Sequence, residues 1–91
     1  VKVFSIFDSK AEAFLQPLFA STTAVALRMF SSACKDESTE FHRFAGDYTL
    51  FELGEWFEDS GEFSMYEAKV NLGLASQFVE PAEPAQLRGV V

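Results

Sequence analysis

Apolar positions fall into two β-like regions flanking one helical stripe. Residues 1–7, VKVFSIF, alternate imperfectly and are rich in β-branched and aromatic side chains. That predicts a strand with Val3 and Ile6 buried on two faces. Asp8-Ser9 ends it, and Ser9 with Glu12 three residues on has the spacing of a capping box. One or two helical turns over Ala11–Leu15 are therefore expected, stopped by Pro17, which lacks a donor and biases Gln16 away from the α region. The next segment, Thr22 to Lys35, is the best helix of the chain. Ser21 or Thr22 can cap it, and Thr22, Val25, Ala26, Met29, Phe30 and Ala33 share one face at i, i+3, i+4 spacing. Arg28, Ser31, Ser32 and Lys35 lie opposite, with Lys35 placed well for the C-terminal dipole.

After the polar break at residues 36–39, Glu40 to Gly46 reads as irregular, with Phe41 and Phe44 packed inward. Tyr48–Phe57 is the strongest strand, and Gly54 within it points to a bulge or bend. Residues 58–61, EDSG, form a turn in which Gly61 can take the left-handed position, and a second strand follows over Glu62–Val70. Residues 71–79 continue as strand or as short helix; periodicity does not separate the two. From Glu80 onward two Glu-Pro steps and few apolar residues predict an extended arm. The expected fold is α+β: one domain over residues 1–79, a small sheet of three or more strands including a hairpin, one main helix on one face, and a tail over residues 80–91.

Composition narrows this further. The chain has 91 residues, enough for one modest core. Eleven are Phe, against 1 Trp and 2 Tyr, more than a small sheet-and-helix layer can cover, so a homo-oligomer, with a dimer favoured, is expected. The net charge of −7 weighs against a duplex-DNA binder that works by displacing counterions. A single cysteine excludes an intramolecular disulfide and a Cys-based zinc site, which suits a reducing cytoplasm. No apolar run approaches 18 residues and no basic stretch precedes one, so neither a membrane span nor a signal peptide is expected.

No enzyme is expected. His42 is the only histidine, no G-x-S-x-G turn accompanies it, and it reads as a residue of the connection rather than a catalytic base. No metal or other cofactor is implied: the calcium-loop spacing is absent, and Cys34 reads as a small buried hydrophobe. Two constellations remain. Lys2 beside Phe4, Lys10 near Phe7 and Phe14, and Arg43 between Phe41 and Phe44 place cations next to aromatic rings, the pairing that holds single strands by stacking. Burial in the core or at a subunit interface is the plainer reading of most of these Phe residues. The second is acidic. Glu52, Glu55, Glu58, Asp59 and Glu62 lie along the hairpin, where they guard a sheet edge against promiscuous pairing or face a basic protein surface.

Three stretches, VKVFSIFDSKAEAFLQPLF (1–19), TTAVALRMF (22–30) and FAGDYTLFELGEW (44–56) followed by DSGEF, resemble the small non-structural protein of the gokushoviruses, tailless single-stranded DNA phages of the Microviridae. The resemblance runs over roughly 70 residues in order and covers residues 57–91 least. It implies a protein of the infected bacterial cytoplasm that binds DNA, or aids the switch from duplex replication to single-strand synthesis and packaging; it attaches no catalytic residues.

Two functions follow as expectations. One is an accessory factor holding single-stranded phage DNA through Lys2, Phe4, Lys10, Arg28, Phe41 and Arg43. The other is an acidic module that contacts phage replication or packaging proteins through Glu52, Glu55, Glu58, Asp59 and Glu62.

Overall fold

β1 (Lys2–Asp8) is the spine of the sheet and is paired along both of its edges. The computed structural model describes residues 1–79, and the tail expected over residues 80–91 lies outside them. On one edge β1 pairs antiparallel with β2 (Ala13–Phe14) near its C-terminal end and with β3 (Leu18–Ala20) near its start. On the other edge it pairs antiparallel with β4 (Tyr48–Phe57), which in turn pairs with β5 (Glu62–Leu74). The order β2/β3-β1-β4-β5 leaves β5 as one outer strand. One helix, α1 (Thr23–Lys35), packs on the sheet, and a single turn of helix, α2 (Glu40–Arg43), leads through a 3-10 turn at Ala45–Asp47 into β4. The architecture is the α+β arrangement expected from the sequence.

The strand register explains which residues are core. Phe4 lies beside Glu52, Ile6 beside Leu50 and Asp8 beside Tyr48, so these side chains point to one side of the sheet. There Phe4, Ile6, Tyr48 and Leu50 join Ala26, Phe30 and Cys34 of α1. Those three helical residues recur at four-residue spacing, and Thr22 caps the helix by accepting the Val25 N–H at 3.2 Å. Met29, expected on the buried stripe, is 50% exposed at its margin. Cys34, one position off that stripe, is fully buried, and burial pushes its thiol up to about 11.

Three local expectations are corrected and one open alternative is resolved. Residues 9–12 form a β-turn region, not a helical start. The Asp8 carboxylate accepts the N–H groups of Lys10 and Ala11, and Glu12 takes a left-handed φ of 58°, which folds the chain back as β2. Pro17, with no N–H to offer, separates β2 from β3 along what is one interrupted edge strand. Glu40–Arg43 is helical rather than irregular, because Thr39 accepts the His42 N–H at 3.2 Å. Phe44 is turned outward, 54% exposed, instead of packing inward. Past Val70 the chain stays in β5 as far as Leu74, then makes a 3-10 turn, Ala75–Gln77, that sets Phe78 edge-on against Phe30 at 5.6 Å.

Gly54 does what an interior strand glycine implies. The register slips between Glu52 and Gly54 in the pairings with both β1 and β5, and a Cβ on Gly54 would stand 2.5 Å from the Ser64 carbonyl oxygen. Gly61 closes the β4–β5 turn at φ 76°, its N–H donating to the Phe57 carbonyl at 2.7 Å.

Candidate functional site

The helices cover one side of the sheet only. On the opposite side the alternation presents Val3, Ser5 and Phe7 from β1, Phe14 from β2, Phe19 from β3, Phe51 and Trp56 from β4, and Phe63 and Met65 from β5. Their rings form two clusters. Phe14 stands 5.0 Å from Phe7 and 5.6 Å from Phe51, centroid to centroid. Phe19 stands 5.6 Å from Trp56 and 6.3 Å from Phe63. All these pairs are tilted or edge-on, so no ring face is consumed by parallel stacking on a neighbour. Phe14, Phe19 and Phe63 are 40, 43 and 55% exposed, so three exposed rings share this face.

Between the clusters the face is pinned. Ser5 is buried, and its hydroxyl donates to the Leu15 carbonyl at 2.6 Å while the Leu15 N–H donates to the Ile6 carbonyl at 2.8 Å. The segment joining β2 to β3 is thereby tied to the middle of β1, holding both ring clusters at fixed positions along one strand.

Charge is distributed unevenly across the two sides. Asp8, Glu52, Glu55 and Glu62 all pair at positions that point toward the helical side, so none of these carboxylates shares the aromatic face. Lys69 does: its Nζ lies 5.8 Å from the centre of the Phe14 ring, a cation–π contact reaching across from β5. Glu67 and Lys69 both belong to the stretch of β5, residues 66–69, that has no register partner in β4.

The residues expected to bind DNA are not brought together. Phe4 is wholly buried in the core and cannot stack on a base, because its place beside Glu52 turns it under α1. Lys2 is committed elsewhere. Its Nζ contacts Glu52 at 3.4 Å and the Tyr66 hydroxyl at 3.5 Å, and these two partners raise its pKa. Phe41 is half-buried and packs edge-on against Phe30 at 5.9 Å and Tyr48 at 4.9 Å. Lys10 is exposed in the turn at the far end of β1 from Lys2; Arg28 is exposed on α1; Arg43 is exposed on α2, its guanidinium donating to the Ser38 carbonyl at 3.2 Å. They define no common face.

The acidic set divides in the same way. Glu58, Asp59 and Glu62 are exposed around the β4–β5 turn and Glu55 is half-buried. Glu52 does not belong with them, being 7% exposed and fully engaged: Thr23 donates at 2.7 Å, Tyr66 at 2.5 Å and Lys2 at 3.4 Å. Burial pushes this carboxyl up, but its three donors together outweigh burial and hold it below the usual carboxylate range. His42 sits against the end of α1, with Nδ1 2.9 Å from the Cys34 carbonyl oxygen, a structural contact. A cavity between α1 and the sheet, walled by Ile6, Met29, Phe30 and Leu50 among others, is lined by apolar side chains and offers no group to orient chemistry.

Residues 1–78 match the family described as phage ORF5 protein. The chain belongs to that family. No curated protein and no solved structure matches it. For this ORF5-family phage protein, the matched span takes in every strand and helix described above and both aromatic clusters. Among the described residues no helix is long and apolar enough to cross a membrane.

The aromatic face escaped the sequence reading because alternation gives the two sides of each strand but not which side the helix will cover. One signal was present: eleven Phe are more than one small sheet-and-helix layer can cover.

Proposed function

We propose that this phage protein is a non-enzymatic accessory factor that holds single-stranded phage DNA on the open aromatic face of its sheet, during genome replication or packaging in the cytoplasm of the infected bacterium. The observation that carries this reading is the exposed set Phe14, Phe19 and Phe63, with Lys69 above Phe14 and the strand carboxylates Asp8, Glu52, Glu55 and Glu62 turned to the other side. Exposed aromatic rings accept any base by stacking, and a nearby cation meets the backbone. Turning Asp8, Glu52, Glu55 and Glu62 away from this surface reduces its share of the net charge of −7. Duplex DNA, whose bases are already stacked, has nothing to offer such rings. The resemblance to the gokushovirus non-structural protein supports the same setting, a phage whose genome is single-stranded.

Trp56, the only tryptophan, lies within the face and reports on it. Titration with a twenty-nucleotide oligothymidylate at two salt concentrations tests the reading. Quenching of Trp56, weaker at the higher salt and absent with a duplex of equal length, is the expected result. No quenching and no change in anisotropy of a labelled strand, even at low salt, refutes it.

One observation favours a second reading. Glu58, Asp59 and Glu62 are exposed at one end of the sheet, beside the outer strand β5, and present negative charge to a basic surface of a replication-initiation or packaging protein. Loss of partner binding on reversing these three charges, with oligonucleotide affinity at zero, would select it.

A further inference from the structure

Resting on the single-strand reading above, we propose that the face has two separate stacking stations, Phe14 and the Phe19–Trp56–Phe63 cluster, bridged by one short footprint of about four to six nucleotides.

The separation follows from the register. Phe14 lies beside Phe7, and Phe19 lies beside Val3, four residues earlier in β1. At about 3.3 Å per residue the two stations are about 13 Å apart along the strand. Successive stacked bases advance only about 3.4 Å, so neighbouring bases cannot occupy both stations. A strand that reaches both must unstack and pass over the intervening surface at Ser5. There the Ser5 side chain is buried, and the β2–β3 link is tied down upon it through Leu15. The ring nearest to it, Phe51 on the paired strand, is half-buried and packs edge-on against Phe14 at 5.6 Å, so it belongs to the first station. Lys69 stands over Phe14, where it can exchange its ring contact for a phosphate of the nucleotide bound at that station. The second station has no cation over its rings among the described residues, and it carries Phe63, 55% exposed, with Met65, 52% exposed, two residues on.

The position of Trp56 makes the two stations separable by experiment, because its fluorescence senses only the second. A dinucleotide is too short to bridge them. Phe14→Leu keeps apolar volume but removes the ring, and Phe14 is 40% exposed, so the fold is retained. Trp56 quenching is measured with dithymidylate, hexathymidylate and the twenty-nucleotide strand, for the parent and for Phe14→Leu. Hexathymidylate is expected to bind the parent at least tenfold more tightly than dithymidylate, with little further gain per site at twenty nucleotides. In Phe14→Leu the hexathymidylate affinity is expected to fall about tenfold, while the dithymidylate affinity stays unchanged. Equal losses for both lengths, or no loss for either, would overturn the two-station arrangement. So would equal affinity of the parent for the two short strands. If the twenty-nucleotide strand itself fails to bind the parent, the single-strand reading falls and this inference with it. If that strand binds but the length step is missing, only this inference falls.

Discussion

Lys69 of the outer strand β5 lays its Nζ 5.8 Å from the ring centre of Phe14, a residue of β2 at the opposite edge of the sheet. The contact spans the uncovered face and puts its cation where a stacked nucleotide would carry phosphate. Lys69→Gln is expected to weaken oligothymidylate binding by about three- to tenfold and to make the logarithmic salt slope shallower by about 0.7, the share of one phosphate contact on a single strand. Affinity measured over a range of salt concentrations checks both numbers. An unchanged slope would remove Lys69 from the interface.

The cations that stand next to Phe in the sequence should matter less. Lys2 is held by Glu52 and Tyr66, and Lys10 and Arg43 lie on separate parts of the surface. Alanine at Lys10 and Arg43 together is expected to leave oligonucleotide affinity within about threefold at physiological salt, where exposed charges more than about 8 Å away are screened. A larger loss would point to a surface other than the aromatic face.

Glu52 makes stability depend on pH in a defined direction. Its folded-state pKa lies below the unfolded value of about 4.3, so its contribution is complete above that pH and is lost as pH falls through the folded-state value. Glu52→Gln is expected to lower stability at neutral pH by about 1–3 kcal/mol, as for loss of hydrogen bonds to a charged acceptor. The gap between the urea midpoints of parent and variant should shrink below about pH 4. A gap constant from pH 7 to pH 3 would contradict this account of the carboxylate.

Packing predicts two larger losses. Phe4→Ala empties a fully buried position between β1 and α1 and should cost about 3–5 kcal/mol. Gly54→Ala would set a Cβ 2.5 Å from the Ser64 carbonyl oxygen and 2.8 Å from the Met65 Cα, forcing β4 and β5 apart at a cost of about 1–3 kcal/mol. Chemical denaturation measures both. If Gly54→Ala were neutral, the close approach of the two strands would not be a constraint on the fold.

Local signals were legible in the sequence wherever the partner lay nearby. The Thr22 cap, the stripe Ala26–Phe30 on α1, the β4 strand and the Gly61 turn each depend on residues within a few positions. β2 and β3 were not legible, because two- and three-residue strands exist only through pairing with β1, and because the Asp8 carboxylate takes the Ala11 N–H that a Ser9 cap would have used. The same holds for the surface. Glu52 looks like any strand carboxylate until Thr23, Tyr66 and Lys2, all distant in sequence, close around it. Phe4 and Phe7 are indistinguishable by composition, yet one lies under α1 and the other on the open face.

The central claim is that the aromatic face, and not the helical side or the acidic turn, receives the nucleic acid. It is tested most directly by following backbone and aromatic NMR resonances of the protein while a short oligothymidylate is added. The account predicts shifts concentrated at Phe7, Phe14, Phe19, Phe51, Trp56, Phe63 and Lys69, with α1 and the Glu58–Gly61 turn unmoved. Shifts confined to α1, α2 or that turn would contradict it.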